Sequence, residues 1–538
     1  MLTQNQVQVF IEQFSLNIEP IWEQLGIVQW NQITTQDPGL KKSILELKQA
    51  EHHLYEDPAS WEFIQNAYTR RDGFNLDIQR QIEILYNMFA LNQSTSEEHA
   101  VISRLEIEIK SLYMKRKVDV KGEALSEDDI LNVLRHSLDD RKRQAVWTES
   151  KHIGIVTAES LRELAHARNA VARRLGFSNH YHLAVSCQEI SMDFLNKFLS
   201  EIEDSIQDPF RKIKEIVDNR LAGKFGISKE DLSPWHYADP FFQHAPPVFD
   251  SNVDSLFGGK DVVNISVEHY NKININVVDI LNKSDIHSNK SKSRYNATAR
   301  IDRKGDVRIL VHMSDTARSM STIMHELGHA AYNKNISNSL PLLLRRTAHH
   351  NVSEGIAILM GRLIYSPDWL IHHAKCDADA VKRKAHEMLL EHMADLLIFF
   401  RWSQVMIKFK QAFYADPSSS DLNSLWWDLV EKYQGIRKPA GRDAPDWAAK
   451  YHMALAPIYY QNFAIGDVLA THLEAWLERE TGAVFGQPEI GTLLKTRLFA
   501  HGARYPWEQL IETATGEGLN AQHYIDRVVS TIKKALDS

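Results

Sequence analysis

Cysteine and long apolar runs are scarce in this chain, and each shortage excludes a class of protein. Cys187 and Cys376 are the only cysteines in 538 residues, so no disulfide framework can form and a reducing compartment is the simplest interpretation. No run of about 18 apolar residues occurs, and the amino terminus lacks a basic stretch followed by an apolar one. The sequence therefore predicts no transmembrane helix and no signal peptide. Cytoplasm is the expected location, and a leader removed beforehand would leave the same sequence.

Positive charge is not in excess, which argues against polyanionic partners. Lysine and arginine total 62 against 70 for aspartate and glutamate, giving a formal net charge of −8 and a pI near 6.3. Neither nucleic acid nor a membrane is expected as a partner. Proline and glycine number only 16 and 23, and no linker rich in them divides the chain. The sequence predicts one domain over 1–538, or two helical halves flanking a cleft, and leaves the oligomeric state open.

Apolar residues recur at three- and four-residue spacing along most of the chain, which is the spacing of amphipathic helices. The predicted helices lie near 1–30, 40–55, 59–92, 97–116, 126–150, 157–175, 191–223, 262–282, 319–333, 350–365, 378–414, 421–433, 457–481, 490–500 and 520–536. Only 295–313 alternates in the manner of a strand, and the polar run 287–293 indicates a loop. The predicted fold class is mainly α, with a small β element.

The most informative motif is H-E-x-x-H, formed by His325, Glu326 and His329. Residues four apart share a helix face, so both imidazoles can bind a single Zn²⁺ per chain. Glu326 projects from the same turn and is placed to act as a general base. Glu354, in a second apolar helical stretch, is the third candidate ligand and would leave the fourth position open, as catalytic zinc requires. His350, one turn earlier, is the alternative third ligand.

The segment in front of the motif distinguishes a zinc site from a surface helix with two solvated histidines. Residues 305–313 alternate and are rich in β-branched side chains, and the motif helix follows closely. A strand next to the metal helix is the layout of zinc peptidases, in which an edge strand holds an extended peptide. The sequence therefore predicts a peptidase.

Further blocks support this prediction. Besides the motif with Glu354, they are 305–309, the run 426–435, Lys450-Tyr451-His452, 504–507 and a first helix over 10–31. In family order and nearly end to end, these blocks resemble the angiotensin-converting enzyme family of zinc dipeptidyl carboxypeptidases. The resemblance implies an almost all-helical ellipsoid split by a deep cleft, with the zinc at its floor.

The resemblance also implies roles in substrate binding. Lys450 and His452 are similar to the family's pair in which the lysine holds the C-terminal carboxylate and the histidine a peptide carbonyl. Gln243 looks like the glutamine that binds the same carboxylate. The implied partners are peptides with a free C-terminus. The implied zinc ligands are His325, His329 and Glu354, and the implied general base is Glu326.

The tyrosines depart from the family pattern. The family has a carboxylate-binding tyrosine and, three residues later, a tyrosine that stabilises the oxyanion. Counting from Lys450 without gaps places Tyr459 at the first position and Asn462 at the second. Either Tyr460 supplies the phenolic donor after a local shift, or the oxyanion is stabilised differently.

Three other positions also depart from the pattern. Gln461 stands where the family usually has an arginine that coordinates an activating chloride, so chloride activation is not expected. Tyr295 or a neighbour replaces a substrate-binding histidine. Ile358 stands where an aspartate orients the first zinc histidine, so another carboxylate or a carbonyl should orient His325. The family's disulfides are absent.

Three functions are compatible with these residues. The first is a peptidyl-dipeptidase in which Glu326, His452 and Tyr459 or Tyr460 act on the scissile carbonyl. The second is an oligopeptidase or a single-residue carboxypeptidase of the wider helical zinc-peptidase group. The third is a catalytically silent fold used for binding, against which the intact Glu326 argues, because a binding module has no use for a base.

Overall fold

Helices dominate the computed structural model, which describes residues 2–116, 118–120, 122–287, 292, 295–456 and 458–537. In the first half the helices are α1 (Gln4–Thr35), α2 (Leu40–Glu56), α3 (Pro58–Thr69), α4 (Leu76–Leu91), α5 (Ser96–Lys115), α6 (Glu127–His136), α7 (Asp140–Arg174), α8 (His180–Cys187), α9 (Met192–Phe225), α10 (Val262–Lys272) and α11 (Val278–Asn282). In the second half they are α12 (Ala317–Lys334), α13 (His350–Gly361), α14 (Pro367–His372), α15 (Ala378–Ala415), α16 (Leu422–Gln434), α17 (Tyr460–Thr481), α18 (Pro488–Leu493), α19 (Trp507–Thr515) and α20 (Ala521–Asp537). The mainly α prediction is confirmed.

The structure corrects several predicted helix boundaries. Helix α7 runs unbroken through 150–157, where the sequence predicts a gap, because the β-branched side chains there are held by packing and back-bonding. The Thr157 hydroxyl, for example, donates to the carbonyls of Ile153 (2.9 Å) and Ala448 (3.1 Å). The predicted helix 262–282 is two helices, and α8, α14 and α19 are helices that the periodicity missed.

The predicted strand 295–313 is a hairpin of two short strands. Strand β3 (Ala297–Arg300) pairs antiparallel with β4 (Val307–Leu310), and Thr298 lies opposite Ile309. On the other side of β4, Asp285 makes an isolated parallel bridge to Leu310, so the outer edge of β3 stays unpaired among the described residues. A second hairpin, Val118–Val120 with Glu123–Leu125, was not predicted. Most of the polar run 287–293 lies outside the described residues.

The core surrounds helix α13, which packs between α12 and α17. At the crossing of α13 and α17 a Cβ on Gly466 would lie 2.7 Å from Glu354 Cβ, so the two helices approach closely only because this residue is glycine. A separate apolar cluster joins α1, α3 and α4, in which Phe14 and Phe89 lie 5.6 Å apart. None of the described helices combines the length and apolar character needed to cross a membrane.

Candidate metal centre and substrate cavity

Helix α12 carries both histidines of the motif. Thr316 caps the start of this helix, because its side chain accepts a hydrogen bond from Ser319 N. An apolar face that includes Met320, Met324 and Leu327 anchors the helix in the core. The rings of His325 and His329 lie 4.8 Å apart on one face, as the spacing predicts.

Helix α13 supplies a carboxylate to the same point. Glu354 Oε2 lies 3.8 Å from Nε2 of His325 and 3.8 Å from Nε2 of His329. This buried oxygen has no hydrogen-bond partner among the described residues. A buried carboxylate oxygen is costly without a partner, and three donor atoms converge here with zinc-binding chemistry. The donor set therefore fits a Zn²⁺ ion.

The far sides of the two rings are held by neutral acceptors. Nδ1 of His329 lies 2.7 Å from Ser353 Oγ, and the His325 ring donates to the carbonyl of Ala357. Burial lowers the pKa of His325 to about 4 and that of His329 well below its ordinary value. Both rings are therefore neutral at pH 7, with Nε2 free to accept a metal. The Ala357 carbonyl is thus the group that orients His325, which the sequence alone could not identify.

The hairpin holds the candidate base. Thr298 Oγ1, on β3, donates to Glu326 Oε2 at 2.7 Å and to the Glu326 carbonyl at 3.1 Å. Burial raises the pKa of Glu326 to about 7, and the bond from Thr298 opposes that rise. The role of Thr298 was not predicted, and its only signal in the sequence is its place on the strand beside the metal helix.

The two tyrosines point to different places. The Tyr459 hydroxyl donates to Glu354 Oε1 at 2.7 Å, so this ring lies against the metal cluster. Tyr460 is buried, and its hydroxyl accepts a bond from Trp402 Nε1 at 3.1 Å. Tyr460 does not line the cavity that contains the metal cluster, so the geometry favours Tyr459 as the phenol at the metal, and an oxyanion role for Tyr460 stays a prediction. Asn462 is not at the metal either, since its amide donates to Gln188 Oε1.

Lys450, Gln243 and His452, three of the predicted substrate-binding residues, lie in one aromatic region, whereas the hydroxyl of Tyr459, also predicted for the substrate carboxylate, contacts Glu354. Lys450 Nζ donates to Gln243 Oε1 at 2.8 Å and lies over the rings of Phe241 and Trp402, 5.2 and 5.6 Å from their centroids. Burial lowers the pKa of Lys450 to about 8, and Asp239 opposes that shift. The His452 ring lies 5.3 Å from that of Tyr460, and its buried Nδ1 has no partner among the described residues.

An amide network occupies the position at which an arginine is usual in the resembling family. Gln188 Oε1 accepts bonds from the side chains of Gln461 and Asn462, both 3.0 Å long. Gln188 Nε2 donates to the Ile458 carbonyl at 3.1 Å. This network fixes the start of α17, directly after Tyr459. The role of Gln188 was not predicted, because this residue is far from α17 in the sequence.

A cavity of about 790 Å³ opens over the metal cluster. Its floor contains the three candidate ligands, Glu326 and Tyr459, and one wall is β3 with the exposed Tyr295 at its start. Helices α1, α2 and α5 also line the cavity. A Cβ on Gly26 of α1 would lie 2.6 Å from the carbonyl oxygen of Ile301, so α1 rests directly on the hairpin loop.

Comparison with known proteins agrees with this geometry. A family model described as angiotensin-converting enzyme matches residues 1–236 and 288–526. Angiotensin-converting enzyme of Sus scrofa is 25% identical over 237 residues, which cover 41% of this chain and 18% of the relative. That of Oryctolagus cuniculus is 27% identical over 242 residues, with 41% and 18% covered. The matches thus span less than a fifth of these relatives' length.

Proposed function

The chain belongs to the angiotensin-converting enzyme family, and from that premise we propose that it is a zinc peptidase that releases dipeptides from the free C-terminus of short peptides. The observation that carries the proposal is the convergence of Glu354 Oε2 on both histidine Nε2 atoms, with Glu326 beside them. The proposal includes one Zn²⁺ per chain and a single peptidase domain over 1–538. A cytoplasmic location remains a prediction from the sequence.

His325, His329 and Glu354 would hold the ion. When bound, Zn²⁺ supplies a Lewis acid that polarises the scissile carbonyl and acidifies the attacking water. The neutral rings held by Ser353 and Ala357 need no proton loss to bind, so only Glu354 must ionise.

Glu326 moves the proton. Its carboxylate accepts a proton from the attacking water and returns it to the leaving amine, and a pKa raised towards neutrality suits both transfers. Thr298 holds one carboxylate oxygen and so orients the other towards the cavity. Tyr459 is the phenol at the metal cluster. Its O–H donates to Glu354 Oε1 in the structure, and we propose that it turns to donate to the developing oxyanion once substrate is bound.

Lys450 and Gln243 are assigned to the substrate's C-terminal carboxylate. In the structure Lys450 donates to the Gln243 amide oxygen, and a carboxylate would replace that acceptor while the amide nitrogen of Gln243 turns towards it. His452, with its unpartnered Nδ1, is assigned to a peptide carbonyl. The distance from this pair to the scissile bond would decide whether one residue or two are released.

The decisive experiment substitutes Glu326→Gln in the zinc-loaded protein. The variant should keep its metal, because no ligand is changed, and should lose activity by at least about a thousandfold, corresponding to a barrier increase of roughly 4 kcal/mol. Metal content by mass spectrometry and hydrolysis of an N-acetylated pentapeptide give the two readouts. Full activity without bound metal in the wild type would contradict the proposal.

The products of the same peptide separate the candidate functions. A dipeptide from the C-terminus supports the proposal, a single amino acid supports a carboxypeptidase, and internal cleavage supports an oligopeptidase. Amidating the C-terminus should lower kcat/KM about ten- to a hundredfold, because one charge-assisted hydrogen bond contributes roughly 1.5–3 kcal/mol. Lys450→Ala should lower kcat/KM similarly on the acid and little further on the amide, because both changes delete the same contact.

A further inference from the structure

The cavity over the metal cluster has a cationic lining. Among the described residues that line it, the cations are Lys48, Lys110 and Arg300, and the only carboxylates are Glu326 and Glu354 of the site itself. The chain as a whole carries a formal net charge of −8, so the lining reverses the overall sign. A cavity with charges of one sign on its wall concentrates ligands of the opposite sign.

Arg300 is the innermost of these cations. It lies on β3 two residues after Thr298, and side chains two apart on a strand project from the same face, about 6.6 Å apart along it. Thr298 contacts Glu326, so Arg300 lies on the same face of β3 as the candidate base's partner. A peptide held along the free edge of β3 would therefore bring a side chain near Arg300 two residues from the scissile bond.

Among the described residues, no carboxylate forms an ion pair with Arg300, Arg303 or Arg346, and the nearest acids, Glu51 for Arg303 and Glu189 for Arg346, act only at longer range. Arg300 itself donates a hydrogen bond to the carbonyl of Arg345 at 3.5 Å. Burial, followed by the charge of Arg346, lowers the pKa of Arg300 to about 10. Burial and then Arg300 and Arg346 lower the pKa of Arg303. Partly buried like charges are costly without a counter-ion, so the group favours an anion.

Two lysines extend the positive charge of the lining to the mouth of the cavity. Lys48 on α2 and Lys110 on α5 are exposed, and neither forms an ion pair with a described residue. Lys450 and Gln243, which hold the C-terminal carboxylate in the proposed function, are not among the residues that line this cavity. The cavity is therefore left for the part of the peptide on the N-terminal side of the scissile bond.

We propose that this cavity selects peptides with an acidic side chain at the second residue on the N-terminal side of the scissile bond, and that Arg300 is the specificity-determining residue. The inference rests on the proposed function, since it names the substrate class of the same site. Arg300 would donate to the substrate carboxylate, while Lys48 and Lys110 would raise the rate at which acidic peptides enter.

The test compares three N-acetylated pentapeptides that differ only in Glu, Gln or Lys at that residue. With the zinc-loaded full chain, we expect kcat/KM for the Glu peptide to exceed that for the Gln peptide about tenfold, and that for the Lys peptide to be lowest. Mass spectrometry identifies the cleaved bond in each case. The Glu-to-Gln ratio should fall as salt is added, because the lysines at the mouth are exposed.

Variants then assign the preference to Arg300. Arg300→Gln should bring the Glu-to-Gln ratio close to one while zinc content stays unchanged, and Arg300→Lys should restore part of the ratio. Lys48→Gln should lower the ratio less, and Lys41→Gln is its matched control, because Lys41 is exposed on the same helix outside the cavity lining.

The outcomes separate the two proposals. Equal turnover of the Glu and Gln peptides by the wild type, or an unchanged ratio in Arg300→Gln, would overturn the acidic preference and leave the peptidase function intact. Failure of the zinc-loaded protein to cleave any of the three peptides would overturn the proposed function, and the preference with it. Selective turnover that Arg300→Gln abolishes would support both.

Discussion

At the scale of single residues, the metal centre depends on contacts between distant parts of the chain. The ligands themselves could be predicted, because H-E-x-x-H is a local pattern whose geometry follows from the helix. The residues that hold these side chains in place could not be predicted. Ser353 of α13 contacts His329 of α12, and Thr298 of β3 donates to Glu326. The different contacts of Tyr459 and Tyr460 could not be predicted either, because adjacent residues at the start of a helix point in different directions.

The pKa of Glu354 gives a prediction for metal binding. Burial raises this pKa to about 7 in the metal-free protein, with Tyr459 opposing the shift and Glu326 adding to it. The carboxyl group must lose its proton to bind Zn²⁺, so apparent zinc affinity should rise about tenfold per pH unit below pH 7 and level off above it. The histidines add little to this slope above pH 5, because their pKa values are lowered.

Calorimetric zinc titrations between pH 5.5 and 8 would measure this dependence. Buffers of different ionisation enthalpy would report release of about one proton per ion near pH 6. Glu354→Ala should bind zinc far more weakly and without this slope. A wild-type affinity that is flat from pH 5.5 to 7 would contradict the raised pKa.

At the scale of elements, the helices were largely predicted from periodicity, and the errors have physical causes. Short helices such as α8 and α14 are too brief to show a repeat, and the hairpin of β3 and β4 looked like one strand because its loop is short. The packing of α13 between α12 and α17 has no sequence signature beyond glycines at the contacts.

Gly466 tests that packing. Gly466→Ala should separate α17 from α13, because the new Cβ would lie 2.7 Å from Glu354 Cβ and 3.3 Å from the Asn351 carbonyl oxygen. Overpacking of this kind costs about 1–3 kcal/mol of unfolding free energy, and zinc affinity should fall as Glu354 shifts. Thermal unfolding and zinc titration give the two readouts.

Gly223→Ala is the matched control, since this glycine is also helical and a Cβ there would meet nothing within 4 Å. Its stability should be unchanged or higher, because alanine favours the helix by up to about 1 kcal/mol. Equal behaviour of the two variants would show that the α13–α17 contact tolerates a methyl group.

At the scale of the whole molecule, elements far apart in the sequence line the cavity together. The apolar cluster of α1, α3 and α4 is distinct from the main core, and both α1 and β3 contribute residues to the cavity lining. The mainly α fold class was predicted from composition and periodicity. The way in which the first helices close over the metal was not, because no local pattern encodes a contact between α1 and a hairpin so distant in sequence.

Hydrogen exchange should detect a peptide bound in this cavity. In the zinc-loaded Glu326→Gln variant, a bound acidic peptide should slow amide exchange in β3 and in α1 near Gly26, because β3 offers an unpaired edge and α1 also lines the cavity. The hairpin of Val118–Val120 and Glu123–Leu125 is the internal control, since it is also two-stranded but does not line the cavity. Protection confined to α12 and α13 would argue against binding along β3.

The contact between α1 and the β3–β4 hairpin also affects the order in which the chain can fold during synthesis. The start of α1 can pack early, because Phe14 meets Phe89 of α4, whereas Trp30 must wait for Ile301 and Leu310. During synthesis from the N-terminus, α1 is therefore made long before the hairpin on which its second half packs and before the floor of the cavity. A nascent chain has no third ligand until Glu354 is made and no Tyr459 until later still. The proposed hydrolysis of peptides would begin only after both residues have been made and folded into place.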